Sequence, residues 1–169
     1  GRFFGTDLQK FSSQQPMLRL GDVLQEKVPE EFDFTETTLK RVADNEPVNR
    51  IVHGVEILSN QRGGARMGYT IFGINGVAPT LTSTPSRHYE RYKIGDRYRR
   101  LTNVEYARLQ GLPDEHCNAV SVYNQYALFG NAVPPPLAEW VMMQLAHDGT
   151  SPHSLPRQEE TLTFFDDVK

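Results

Sequence analysis

Arg99, Arg100, Thr102, Glu105 and Arg108 fall within one short stretch, RRLTNVEYARLQGLPDEHC, whose spacing is that of side chains held still. Thr102 and Glu105 stand in the T-x-x-E order of a capping box, in which hydroxyl and carboxylate each satisfy an exposed amide of a helix start. Arginine offers five donors in a planar fork, suited to carboxylates, carbonyls, phosphates or the edge of a guanine. A pinned helix can therefore hold Arg108 against turn carbonyls or carboxylates of loops. Just upstream, residues 86–100 read SRHYERYKIGDRYRR, with six Lys/Arg against two acids and Tyr89, Tyr92 and Tyr98 between them. Basic and aromatic residues mixed in this way suit a phosphate backbone and base stacking. A solvated strand pair with cross-strand ion pairs uses the same residues equally well.

The 169 residues suffice for one domain with a modest core or two small lobes. Net charge is −3, from 18 basic and 21 acidic side chains, so no global basic excess points to nucleic acid. The lone Cys117 excludes an internal disulfide framework and a Cys-rich zinc site, and no metal site is read. Cys117 follows His116 and reads as a structural thiol rather than a nucleophile. No signal peptide or long apolar run is found, and a reducing, cytoplasmic setting of bacterial type is expected. The chain begins with Gly1, which fits a processed product or a piece of something longer.

Several elements must position these groups. LRLGDVLQEKVPEEF predicts a short helix ending before Pro29. Thr35 caps a predicted helix, ETTLKRVADNE, with Leu39, Val42 and Ala43 on one face. NRIVHGVEIL alternates weakly and predicts a strand broken at Gly54, after which Gly-rich residues 60–94 read as short strands and tight turns. Asn75-Gly76 predicts a turn ahead of a strand through Thr80 and Leu81. Leu101 and Tyr106 have the spacing of a hydrophobic staple around the Thr102 cap, Gly111 closes that helix, and Pro113 forbids its continuation. Val104, Ala107 and Gly111 give it a small-residue face. GNAVPPPLAEWVMMQLAHD predicts another helix with prolines in its first turn and Leu137, Val141 and Leu145 as its apolar stripe.

These residues carry a resemblance. RRLTNVEYARLQGLPD resembles the ninth conserved motif of DNA cytosine-5 methyltransferases, R-x-L-T-x-x-E-x-x-R-L-Q-G-x-P. YNQYALFGNAVPPPLAEWV is similar to their tenth motif, and GVAPTLTSTPSRHYERY resembles their target-recognition domain, with Thr80-Leu81 as its Thr-Leu pair. The resemblance covers residues 1–147. Leu112 stands where the family usually carries an aromatic, and His116 lies near another such position. The Pro-Cys and Glu-Asn-Val motifs and the Gly-rich strand-turn of the family are not in this chain.

The resemblance implies the C-terminal half of such an enzyme, as in a two-subunit methylase or a fragment. It implies a mixed α+β fold: a small β-rich target-recognition lobe, plus helices that complete a Rossmann-like catalytic domain supplied by another chain. The implied organisation is a linker over 1–30, the target-recognition domain over 31–98, the two motifs over 99–147 and a tail over 148–169. The implied activity is methylation of carbon 5 of a flipped cytosine in duplex DNA using S-adenosylmethionine, with this chain inactive alone. The expected partners are double-stranded DNA and the catalytic half. Readout candidates are Arg62, Arg66, Tyr69, Thr80, Leu81, Arg87, His88, Tyr89, Arg91 and Arg97, with Arg66 and Arg87 preferred for bases or the flipped-out cavity. Arg100, Thr102, Glu105 and Arg108 match positions that order the recognition domain. Asn131, Ala132 and His116 match the cofactor side, although Gly130-Asn131 also reads as a plain turn and helix start. Trp140, Met142 and Met143 are of types favoured in interfaces. A non-catalytic DNA-binding module and an RNA cytosine-5 methyltransferase are the alternatives.

Overall fold

A computed structural model describes residues 18–62, 67–83 and 90–147. Arg66, Arg87, His88 and Tyr89, the first seventeen residues and the 148–169 tail lie outside them. The architecture is mixed. Helix α1 (Glu36–Val42) is followed by the hairpin β1 (Glu46–Val52) and β2 (Val55–Asn60), then β3 (Ile71–Phe72), β4 (Arg91–Ile94) and β5 (Arg97–Arg99). Three helices close the described chain: α2 (Asn103–Leu109), α3 (Val122–Asn131) and α4 (Pro135–His147). Among the described residues no helix is long and apolar enough to cross a membrane.

The strands form one sheet in sequence order, β1-β2-β3-β4-β5. All neighbours are antiparallel except β3 and β4, which pair in parallel, Ile71 with Arg91 and Phe72 with Tyr92. A parallel pair cannot be joined by a tight turn, and here β3 and β4 are separated in sequence by residues 73–90. The predicted break at Gly54 is a two-residue hairpin turn. His53 and Gly54 have φ of 50° and 83°, the conformation that matches strand twist. The outer edge of β5 is covered by residues 32–34, since the Phe34 amide donates to the Tyr98 carbonyl at 2.9 Å and the Arg100 amide to the Phe32 carbonyl at 3.0 Å.

Three local expectations change. The helix predicted in LRLGDVLQEKVPEEF is instead two 3₁₀ turns, Leu20–Val23 and Glu30–Phe32. The amides of Leu20 and Gly21 are claimed by the carbonyls of Gly76 and Ile74, at 2.8 and 3.0 Å, which fastens this segment to the far side of the chain. The strand expected through Thr80 and Leu81 does not form. Val77 donates to the Gly54 carbonyl and Pro79 has no amide hydrogen, so no ladder can start there. Helix α3 was not predicted. Ser121 caps it by accepting from the Asn124 amide, and Gly130-Asn131 is its end rather than the start of a helix.

The other helices follow their local signals. Thr35 accepts from the Thr38 amide and starts α1, which stops at Val42, and Leu39 is left exposed. Leu101 and Tyr106 are buried together at the start of α2, and Gly111 closes that helix with φ of 72°. Prolines occupy the first turn of α4, as expected. Among its described side chains Trp140 is buried, at 6%, whereas Met142 and Met143 are exposed.

One apolar cluster joins everything. Leu20, Val23 and Phe32 from the N-terminal turns meet Phe72 and Tyr92 of the sheet and Leu101, Tyr106, Ala107, Tyr126 and Phe129 of the helical part. Tyr106 and Tyr126 cross edge-to-face, with ring centres 4.8 Å apart and an 83° interplanar angle. Such a pair adds about 1 kcal/mol beyond its buried area.

Candidate functional site

Glu105 is the hub of the first constellation. It is fully buried and accepts four hydrogen bonds: from Arg99 Nη1 and Nη2 at 2.8 and 2.7 Å, the Thr102 amide at 2.8 Å and the Gln25 amide at 2.9 Å. The capping box is completed by the Glu105 amide donating to Thr102 Oγ1 at 3.1 Å, and that hydroxyl donates to Gln25 Oε1 at 2.6 Å. A buried carboxylate is tolerable only with such full satisfaction. The network binds the end of β5, the start of α2 and the segment before the Glu30–Phe32 turn into one unit.

The arginine in this network is Arg99, which the sequence reading passed over in favour of Arg100. The signal was present, since R-x-L-T counted back from Leu101 lands on Arg99. Arg100 instead lies over the Phe32 ring, its guanidinium carbon 5.0 Å from the ring centre. Arg108 grips Asp114 with Nε and Nη2 at 2.7 and 2.6 Å, and Nη1 reaches the Val23 and Leu24 carbonyls at 3.1 and 3.3 Å. The paired guanidinium holds the Asp114 carboxyl below its usual range. Arg108 thus ties the loop after α2 to the Leu20–Val23 turn.

The described readout candidates are placed unequally. Arg62 and Thr80 are exposed, and Tyr69 and Leu81 are half-buried. Arg62 comes only within 3.9 Å of Glu46, a loose surface pair of little energetic weight. The Tyr69 carbonyl accepts from Asn45 Nδ2 at 2.6 Å. Arg97 gives its donors to the fold: Nε to Asp33 at 3.0 Å, Nη1 to the Val28 carbonyl at 2.9 Å and Nη2 to the Pro29 carbonyl at 3.3 Å. Arg91 is buried at the start of β4, where desolvation lowers the pKa of its guanidinium. Neither is presented like Arg62.

The cofactor candidates gather at the C-terminal end of α3. Asn131 is exposed there, Ala132 is the cap residue, and the His116 ring lies 6.5 Å from Phe129, two residues before Asn131. The Ala132 amide donates to the Phe129 carbonyl at 3.2 Å, so its carbonyl is the backbone group it can offer. Gly130 has no room for a side chain. An added Cβ would fall 2.6 Å from backbone atoms of Thr82 and Ser83, so this helix end lies directly against the segment that carries Thr80 and Leu81. The Gln110 amide group fixes the same end by donating to the Phe129 carbonyl at 2.6 Å.

Comparison with known proteins gives the family and the fold. The family description C-5 cytosine-specific DNA methylase matches residues 4–147. Type II methyltransferase M.Sau96I of Staphylococcus aureus is 40% identical over 68 residues, covering 40% of this chain and 16% of that protein. The crystal structure of the S. pombe Dnmt2 methyltransferase superposes with a TM-score of 0.59 at 15% identity, covering 88% of this chain and 48% of that one, and so shares the fold. The chain thus corresponds to half or less of the relatives it matches. With the match covering residues 4–147 of 169, and every described residue inside it, the chain belongs to the C-5 cytosine-specific DNA methylase family.

Proposed function

We propose that this chain is the DNA-reading and cofactor-pocket-completing portion of a DNA (cytosine-5-)-methyltransferase. It acts with a catalytic half that carries the Pro-Cys nucleophile and the Glu-Asn-Val motif, and it is inactive alone. The observation that carries this reading is the family match over 4–147 in a chain whose lone cysteine follows histidine rather than proline. The name of the staphylococcal relative, a Type II methyltransferase, favours a restriction–modification setting.

When bound, S-adenosylmethionine supplies the methyl group. The residues present fit its amino-acid end. Asn131 is exposed, and its amide both donates to a carboxylate and accepts from an ammonium. The Ala132 carbonyl and the His116 ring add further polar groups at the same helix end. On the DNA side, Arg62, Tyr69, Thr80 and Leu81 are the reading candidates among the described residues, and Arg66, Arg87, His88 and Tyr89 are the candidates outside them. The Glu105 and Arg108 networks hold that surface in register with the cofactor side. Val122, Tyr123 and Leu128 of α3, Val133, and Met142 and Met143 of α4 are exposed apolar side chains, which the catalytic half covers in this proposal.

The test is transfer of labelled methyl groups from S-adenosylmethionine to mixed duplex DNA, by this chain alone and by this chain with a catalytic half. Activity only in the mixture is expected. No transfer by a complex shown to assemble favours the non-catalytic DNA-binding module, and activity of this chain alone overturns the placement of the nucleophile elsewhere. Modification of tRNA but not duplex DNA moves the substrate to RNA.

A further inference from the structure

Glu90 stands where three parts of the molecule meet. It is 2% exposed and closes the connection between β3 and β4. Tyr106 of α2, equally buried, donates its phenol hydrogen to Glu90 Oε2. Burial raises the pKa of the Glu90 carboxyl, and hydrogen bonding from Tyr106 and, more weakly, from Thr82 in the same connection acts against that rise. The backbone of Thr82 and Ser83 is in contact with Gly130 at the end of α3. One end of the connection is therefore bonded to α2 through Glu90, and its Thr82–Ser83 part lies against the end of α3.

A buried carboxyl is an expensive way to fill this space. Glu90 Oε1 and the neighbouring Tyr92 hydroxyl, both buried, make no hydrogen bond. Packing alone would be served better by an apolar side chain. What the carboxyl adds is direction, because its bond to Tyr106 has a fixed geometry that dispersion contacts lack. Thr82 lies one residue beyond Leu81 and two beyond Thr80, so whatever fixes Thr82 fixes that pair.

Resting on the methyltransferase reading above, we propose that Glu90, acting through Tyr106, is a positioning residue for DNA recognition. It locks the start of β4 and the Thr80–Thr82 segment to helix α2, and so sets where Thr80 and Leu81 meet the duplex. Arg99 and Glu105 hold α2 itself, and Glu90 carries that rigidity outward to the reading surface.

The test uses the complete enzyme, this chain with its catalytic half. Tyr106→Phe keeps the ring packing and deletes the donor, Glu90→Leu deletes the acceptor, and Glu90→Gln keeps an oxygen that accepts from Tyr106. The readouts are KM for duplex DNA, kcat, affinity for S-adenosylhomocysteine, and the ratio of rates at the target and at single-mismatch sites. Tyr106→Phe and Glu90→Leu should raise the DNA KM about tenfold and lower the site ratio by a similar factor, the scale of one buried hydrogen bond. The kcat and cofactor affinity should stay within about twofold, and Glu90→Gln should restore most of the DNA KM. An unchanged DNA KM and site ratio in Tyr106→Phe overturns the inference, even if Glu90→Leu fails to fold. A parallel loss of DNA and cofactor affinity in all three variants overturns it too, because it shows a merely structural bond. A wild-type complex that transfers no methyl group overturns the methyltransferase reading instead, and this inference falls with it.

Discussion

Replacing Glu105 with alanine removes one carboxylate and strands four donors. Those donors are the two Arg99 nitrogens at 2.8 and 2.7 Å and the amides of Thr102 and Gln25 at 2.8 and 2.9 Å. With the Arg99 side chain 3% exposed and that of Glu105 at 0%, water cannot replace the lost partner without local opening. Breaking a buried ion pair from one side costs about 3–5 kcal/mol, and the lost capping box falls within that range because the terms share atoms. For a chain of this size about 2–4 °C of Tm is lost per kcal/mol, so Glu105→Ala should lower Tm by about 6–20 °C. Denaturant and thermal unfolding measure the total. Amide hydrogen exchange should show Gln25 and Thr102 losing protection before the centre of the sheet. Glu105→Met combined with Arg99→Met should recover much of the loss, since two apolar side chains leave no charge behind. The reasoning is refuted if Glu105→Ala costs less than about 1 kcal/mol, or if the double variant is less stable than the single one.

Other outcomes follow from the same geometry. Arg108→Ala should lower Tm and raise exchange at Val23 and Leu24, and Arg108→Lys should not restore it, because a point charge cannot grip Asp114 and two carbonyls together. The depressed pKa of Asp114 makes the contribution of this contact complete at neutral pH. It is lost as pH falls through the folded-state value, so Asp114→Asn should flatten the acid limb of the stability curve. Burial raises the pKa of Glu90, and here the sign reverses. Its contribution is whole below the ordinary carboxylate range and fades as pH rises through the folded-state value, so unfolding midpoints should shift in favour of Glu90→Gln with rising pH. Gly130→Ala forces the Thr82–Ser83 backbone to move and should cost about 1–3 kcal/mol in unfolding experiments, as overpacking does.

The parts of this structure that were legible in the sequence are those with signals a few residues apart. Thr102 and Glu105, Gly111 and Pro113 define α2 within a dozen positions, and Thr35 and the prolines of α4 act as locally. The His53-Gly54 turn was half legible, as a break rather than a hairpin. What stayed hidden depends on distant partners. Leu20 and Gly21 leave a helix because Gly76 and Ile74 claim their amides, and nothing near residue 20 records this. Thr80 and Leu81 look like a strand, but Val77 is already bonded to Gly54. Strand β3 is two residues long and exists only because β2 and β4 flank it. At the site, Arg99 and Arg100 are indistinguishable by type, and only the R-x-L-T spacing singles out Arg99. The alternation of β5, which pairs Tyr92 with Arg99, turns one of them inward to Glu105. Arg91 and Arg97 read as contacts for a polyanion because composition cannot show that β4 buries one and that Asp33 with the Val28 and Pro29 carbonyls occupies the other.

The parallel pairing of β3 with β4 has a consequence for how such a molecule diversifies. The connection over 73–90 starts and ends on one sheet, and at its base Glu90 is bonded to α2 and Thr82–Ser83 lies against Gly130. Closure entropy grows only with the logarithm of loop length, about 0.6 kcal/mol for each doubling. Insertions beyond Ser83 therefore weigh little against the core that Phe72, Tyr92 and Tyr106 already form. A lineage with this base can change the length of that connection while the framework beneath stays as it is.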